Sequence, residues 1–145
     1  MAVVKVLASG WKIEVGDGAA TEVFVQVKGL NTLTFGASKT DADGTTFDSL
    51  GWTEHSVASR SRTLSAEGFF LEDQTTKARD PGQTRIEAVG ELIGEDSLAN
   101  FKLTSPAGSI KTFKGSVNVG DVGGGNEDNT TWGFEITVSG KVTTT

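Results

Sequence analysis

The only histidine of this chain, His55, stands beside Glu54, Ser56 and Ser59, the residue types of nucleophilic hydrolysis, in which an imidazole takes a proton from a hydroxyl and an acid orients the ring. Neighbours in an extended chain point to opposite sides, so adjacency opposes a triad, and His55 reads as a surface or interface histidine. Asp41, Asp43 and Asp48 surround Gly44, a superficial likeness to a calcium loop. Helix-flanked calcium loops need glycine sixth and glutamate twelfth; here glycine is fourth and the flanks are β-like, so a tight polar turn is expected. Gly120-Asp121-Val122-Gly123-Gly124-Gly125 has glycines at loosely dinucleotide-like spacing, but Asn126-Glu127-Asp128-Asn129 opens no amphipathic helix and its acids would repel a pyrophosphate. Asn129-Thr130-Thr131 matches a glycosylation acceptor and, without a secretion signal, reads as a chance match. No catalytic residue, cofactor site or metal site is assigned, and an enzyme is not expected.

Arg60 and Arg62, two apart and so on one side of a strand, begin the main basic concentration, followed by Lys77, Arg79 and Arg85. They form either a solvated face or a patch that meets an acidic surface on a neighbouring copy. Against them stands a net charge of −6 and a pI near 4.7, which argue against a phosphate-gripping surface without excluding a path for DNA. There is no cysteine, which removes disulfides, thiolate ligands and thiol nucleophiles. The start, MAVVKVLASGWKIEV, is apolar but broken by Lys5 and Lys12, so no signal peptide and no membrane insertion are expected.

The elements that position these residues are mostly strands. Trp132, Phe134, Ile136 and Val138 alternate with polar partners, as do Trp11, Ile13 and Val15; Val23, Val25 and Val27; Phe101 and Leu103; and Phe113, Val117 and Val119. Such one-sided strands belong to antiparallel sheets with one dry face. Pro106-Ala107-Gly108 predicts a hairpin, and residues 120–130 a Gly-rich loop between the last two strands. One helix is predicted over about 80–94: Asp80 as N-cap, Pro81 at the first position, Gln83 completing a capping-box-like pattern, an apolar stripe of Ile86, Val89, Leu92 and Ile93, and Gly94 as the stop. At 145 residues the expectation is one domain, mainly β, an antiparallel sandwich or barrel with one packed helix. Thr45–Phe70 reads as a long polar connection, and a loop of that length in a small β domain is usually functional.

The order of "DGTTFDSLGWTEHSVASRSRTLSAEGFF", "DPGQTRIEAVGELI" and a closing "TTWGFEITVSGKV" resembles the major tail tube proteins of long-tailed, siphovirus-type phages over roughly Trp11 to Val142. The resemblance implies a virion protein, made in the host cytoplasm, that forms hexameric rings stacked into a hollow tube for DNA ejection. Its partners would be itself, a tape measure, a tail terminator and DNA in transit. Six copies of −6, or −36 per ring, would give a lumen that does not hold phosphates. Glu14, Glu22 and Glu135, on polar strand faces, are the candidate lumen-facing acids. By position, residues 36–62 form the loop or arm that reaches a neighbour, and Thr45–Phe70 reads as an arm disordered in the monomer and structured on contact. The inter-subunit contacts would fall on Asp41, Asp43, Thr45, Thr46 and Phe47 and on Trp52, His55, Arg60 and Arg62. The immunoglobulin-like C-terminal domain of some relatives is not expected here. The alternatives are the inner tube of a contractile tail or secretion system, which shares the barrel-plus-helix plan, and a carbohydrate-binding β-sandwich with Trp11, Trp52 and Trp132 as stacking surfaces.

Overall fold

The computed structural model describes residues 3–145; Met1 and Ala2, where the N-terminal apolar run begins, lie outside the described residues. Seven strands, β1 (Lys12–Gly16), β2 (Phe24–Gln26), β3 (Leu30–Asp43), β4 (His55–Phe69), β5 (Ala99–Thr104), β6 (Ile110–Val119) and β7 (Thr131–Thr144), form one antiparallel sheet in the order β2-β1-β5-β6-β7-β4-β3. The helix α1 (Pro81–Gly90) falls between β4 and β5 in the chain.

Alternation decides the faces. Ile13, Val15, Leu64, Ala66, Phe101, Leu103, Phe113, Trp132, Phe134 and Ile136 all point to one side and are buried, and each large apolar side chain removed from water contributes about 1.5–3 kcal/mol. The sheet curls around this core: Phe35 of β3 stacks on Phe113 of β6 with ring centroids 5.5 Å apart, although β7 and β4 lie between those strands. It is therefore an open barrel made from a single sheet. The Pro106-Ala107-Gly108 turn joins β5 to β6 with Leu103 opposite Lys111, and residues 120–130 connect β6 to β7. The expected Val23/Val25/Val27 face is shorter than its alternation: β2 spans three residues, Val27 is buried and Val23 is exposed.

The helix is held as its N-terminal residues predict, but it ends earlier. Asp80 accepts a hydrogen bond from the Gln83 N–H at 3.2 Å, and Pro81 occupies the first turn. Ile86 and Val89 reach the core, whereas Leu92 and Ile93 lie beyond the helix and are exposed. Gly94 adopts a positive φ in the following 3₁₀ turn (Gly94–Ser97) rather than closing α1. A side chain at Gly82 would overlap the Gln26 carbonyl, so the first turn lies directly on the β2 backbone.

Gln83 is fully buried and does not reach back to its own N-cap. Its Nε2 donates to the Lys28 carbonyl at 3.0 Å and the Phe69 carbonyl at 2.8 Å, while its Oε1 accepts from the Leu71 N–H at 3.2 Å and Arg79 Nη2 at 3.3 Å. Arg79 in turn lies over the Phe70 ring, 3.8 Å from its centroid, and forms a bidentate pair with Glu87 at 2.9 and 3.1 Å. Glu87 Oε1 also accepts from Trp132 Nε1 at 3.0 Å. One amide and one ion pair thus tie the helix to the ends of β2 and β4 and to the core tryptophan.

The Arg79 hydrogen bonds, followed by that of Trp132 and opposed by burial, hold the Glu87 carboxyl below its ordinary value of 4.5. A depressed carboxylate stabilises the fold above the unfolded value, and that contribution is lost as pH falls through the lower folded value. The stability advantage of the parent chain over Glu87→Gln is therefore expected at neutral pH and to shrink below about pH 4.5, measured as melting temperature against pH.

A candidate assembly arm

The β3–β4 pair runs far past the rest of the sheet. The ladder between β4 and β7 stops at Thr63 opposite Thr137, yet β3 and β4 stay paired from Gly36/Thr63 out to Asp43/His55. Residues 36–62 are thus not a long loop. They are a two-stranded ribbon with a connection over residues 44–54, paired along its length rather than disordered. A register shift between Thr40 and Asp41 leaves Ala58 unpaired as a bulge.

The ribbon has two unlike faces. One continues the core-facing side of the sheet: Arg62 opposite Ala37, Arg60 opposite Lys39, then Asp41 opposite Val57 and Asp43 opposite His55. The other is small and neutral, with Ser38, Thr40 and Ala42 opposite Ser61, Ser59 and Ser56. His55 and Ser56 therefore face apart, and His55 Nε2 instead lies 3.9 Å from Asp41 Oδ2. Arg62 packs its guanidinium 4.2 Å from the Phe35 ring centroid, and its buried Nε has no hydrogen-bond partner among the described residues. Lys39 Nζ lies 3.5 Å from Asp41 Oδ1, an exposed pair of small energetic weight. Charge changes sign along the ribbon, basic at Lys39, Arg60 and Arg62 and acidic towards Asp41, Asp43, Asp48 and Glu54.

The tip is built, not slack. The Glu54 carbonyl accepts from the Gly44 N–H at 2.9 Å and the Thr45 hydroxyl at 3.1 Å, and the Glu54 N–H donates back to Thr45 Oγ1 at 2.9 Å. Asp43 Oδ1 accepts from the Thr45 N–H at 2.9 Å; that bond and the Thr45 hydroxyl hold the Asp43 carboxyl below its usual range. Thr46 and Ser49 form a reciprocal capping box on a 3₁₀ turn (Phe47–Ser49), and Leu50 and Gly51 follow with positive φ. This frame leaves Phe47 fully exposed, Leu50 85% exposed and Trp52 78% exposed. Asp43 is occupied by its turn and Asp41 by Lys39 and His55; among the described residues no three such side chains converge as a metal-ligand set.

Several expected groupings do not form. Lys77 sits in a turn, Arg79 binds Glu87, and Arg85 donates to the Gly16 carbonyl at 2.8 Å, so they do not join Arg60 and Arg62 in one patch. Trp132 is buried, Trp11 half-buried against the core and Trp52 at the arm tip, so the three indoles make no shared stacking surface. Glu14 lies on the uncovered face of β1 opposite Lys102 and Gln26, and Glu135 on that of β7 between Ser65 and Asn118. Glu22 is not on a strand; it precedes β2, where its Oε1 accepts from Asn100 Nδ2 at 2.7 Å. The tip residues Leu50 and Ser49 and the amide lock at Gln83 escaped the sequence reading. The signal for the tip was available: apolar residues at 47, 50 and 52 interrupt an otherwise polar stretch.

The architecture is thus a curled antiparallel sheet with one helix and a projecting two-stranded ribbon whose outer edges are unpaired beyond Thr63. The chain belongs to the phage tail tube protein family, whose family model matches residues 12–144. No curated protein matches the sequence. Among solved structures, the chain is similar to a protein of the tail of an empty gene transfer agent particle refined with C6 symmetry (20% identity, TM-score 0.71, covering 97% of this chain and 99% of that one). It is also similar to a chain of the virion of a native gene transfer agent particle (19%, 0.68, 97% and 99%) and to one in the six-fold symmetrised anti-feeding prophage baseplate (9%, 0.62, 100% and 97%).

Proposed function

We propose that this chain forms six-membered rings that stack into the tail tube of a phage particle, the conduit for DNA ejection, and that the β3–β4 arm of each subunit contacts a neighbouring copy. The observation that carries the reading is the ribbon itself. A two-stranded hairpin alone is marginal in water, and this one leaves both edges unpaired beyond Thr63 while presenting three large apolar side chains at its tip. The six-fold symmetry of the particles with similar folds supports the ring number. Inter-subunit contacts fall on Phe47 and Trp52, on Asp41, Asp43, Thr45 and Thr46 around them, and on His55, Arg60 and Arg62 down the ribbon. Glu14 and Glu135, on the uncovered sheet face, are the acids proposed to face the lumen; Glu22, bound to Asn100, is a weaker member of that set. A tape measure and a tail terminator complete the proposed partners. The second reading is the inner tube of a contractile tail or secretion system, which shares the plan of a β barrel with one helix.

Electron microscopy of the purified protein tests the assembly, with tubes or six-fold rings expected and a monomer at high concentration against it. The arm is tested by excising Asp41–Ser59 and rejoining Thr40 to Arg60 through Asn-Gly; Lys39 and Arg60 are opposite across the ribbon, so Thr40-Asn-Gly closes it as a three-residue hairpin loop. The shortened chain is expected to remain soluble and folded but form no tubes; unchanged tubes would refute the role given to the arm.

A further inference from the structure

The sheet does not close. Where β2 ends, β1 and β3 leave an open seam, and behind it lies a cavity of about 980 Å³ walled by Trp11, Val27, Leu30, Leu33, Phe35 and Leu103. Its wall is mainly apolar, and two lysines, Lys12 and Lys28, also line it. The cavity sits at the start of β3 and the arm tip at its end. The twelve steps along the strand from Asn31 to Asp43 separate them by roughly 40 Å at about 3.3 Å per residue, so no chain can place its own tip in its own cavity.

We infer that this seam is the receptor for the arm tip of a second copy, with Phe47, Leu50 and Trp52 entering the apolar cavity and the tip carboxylates meeting Lys12 and Lys28. The inference rests on the assembly reading above and adds the other half of the contact. Three observations carry it. The tip holds large exposed apolar side chains that its own fold leaves uncovered, and the cavity offers apolar walls that none of the described residues fills. The charges are complementary, Asp43, Asp48 and Glu54 at the tip against the two lysines of the seam. The two surfaces lie at opposite ends of one subunit, so the contact is head-to-tail, the kind that propagates from ring to ring in a stacked tube when its rotation does not close. Another exposed apolar segment, Val3–Leu7, carries Lys5, which the seam lysines repel.

Because the chain has no cysteine, two introduced ones can be linked without background. Asn31→Cys, at the lip of the seam, and Thr53→Cys, beside Trp52, are both exposed. Assembled protein carrying both is treated with a short bismaleimide and resolved on a denaturing gel. The expected product is a ladder rising in steps of 15.2 kDa well past six subunits, while either single variant stops at dimers. Tubes that form without the 31–53 ladder overturn the inference while leaving the assembly reading intact. A ladder that stops at six subunits places the contact within a ring and overturns the ring-to-ring contact inferred here. Failure of the cysteine-free parent to form any tube or ring defeats the assembly reading and the inference together. A charge exchange gives an independent readout: Lys28→Glu raises the critical concentration for polymerisation at least tenfold, and adding Asp48→Lys restores it. No rescue by the second change counts against the pairing.

Discussion

A subunit carrying Phe47→Ala and Trp52→Ala is expected to melt at the parent temperature and to form no tubes. Side chains this exposed contribute little to the fold of a free subunit, within about 0.5 kcal/mol for an ordinary surface position. In an interface the same aromatics become the anchors. Truncating a buried aromatic hot spot costs about 2 kcal/mol or more, so the pair weakens each contact by roughly 4 kcal/mol, near a thousandfold. In the proposed rings six such contacts act together, which converts that loss into absence of assembly at any practical concentration. Sedimentation of polymer against total protein, with circular dichroism melts of the soluble fraction, separates the two effects. A parent-like critical concentration would remove the tip from the interface. A lowered melting temperature would mean that the tip supports its own subunit.

The opposite pattern is expected at Gln83. Gln83→Ala strips partners from the Lys28 and Phe69 carbonyls and from the Leu71 N–H. Leaving buried polar groups unpaired costs about 1–3 kcal/mol each, partly relieved by water entering the space of the lost side chain. A net loss of about 3 kcal/mol lowers the melting temperature by roughly 6–12 °C for a domain of this size. Gln83→Glu gives no rescue, because an oxygen then faces both carbonyls. Thermal melts of the two variants check this; a change under 2 °C in both would show that the amide lock is dispensable. Tubes are still expected from either variant below its melting point, since Gln83 is buried and far along the chain from the arm tip.

These two sites also mark where the sequence was readable. Strands that bury a face announce themselves, and Trp132–Val138, Ile13–Val15 and Phe101–Leu103 were legible because every second residue meets the core. The arm was not, for a physical reason: a two-stranded ribbon beyond the sheet has no core to bury. From Arg60 and Arg62 outwards the alternation is charged against hydroxyl rather than apolar against polar, so a regular hairpin reads as a polar connection. The helix start was visible through Asp80 and Pro81. Its end was overestimated because Leu92 and Ile93 continue an apolar spacing whose last members face solvent. Gln83 looked like half of a local capping box, and nothing local could reveal bonds to Lys28 and Phe69, 55 and 14 residues away. The family resemblance, carried by the order of the segments, supplied the assembly that periodicity alone does not contain.

The unpaired outer edges of the ribbon bear on time as well as on strength. A hairpin with little support fluctuates, and only its paired form can dock, so the first encounter between free subunits is slowed by the fraction of arms in that form. In the proposed assembly a ring end presents several docking surfaces at fixed spacing to each arriving subunit, and their joint action offsets that delay. Growth on an existing end therefore outruns the birth of new tubes, and a pool of subunits stays dispersed until something supplies a first ring. On this basis the length of a tube follows from how few starts are made and where growth is stopped, not from how tightly its subunits bind.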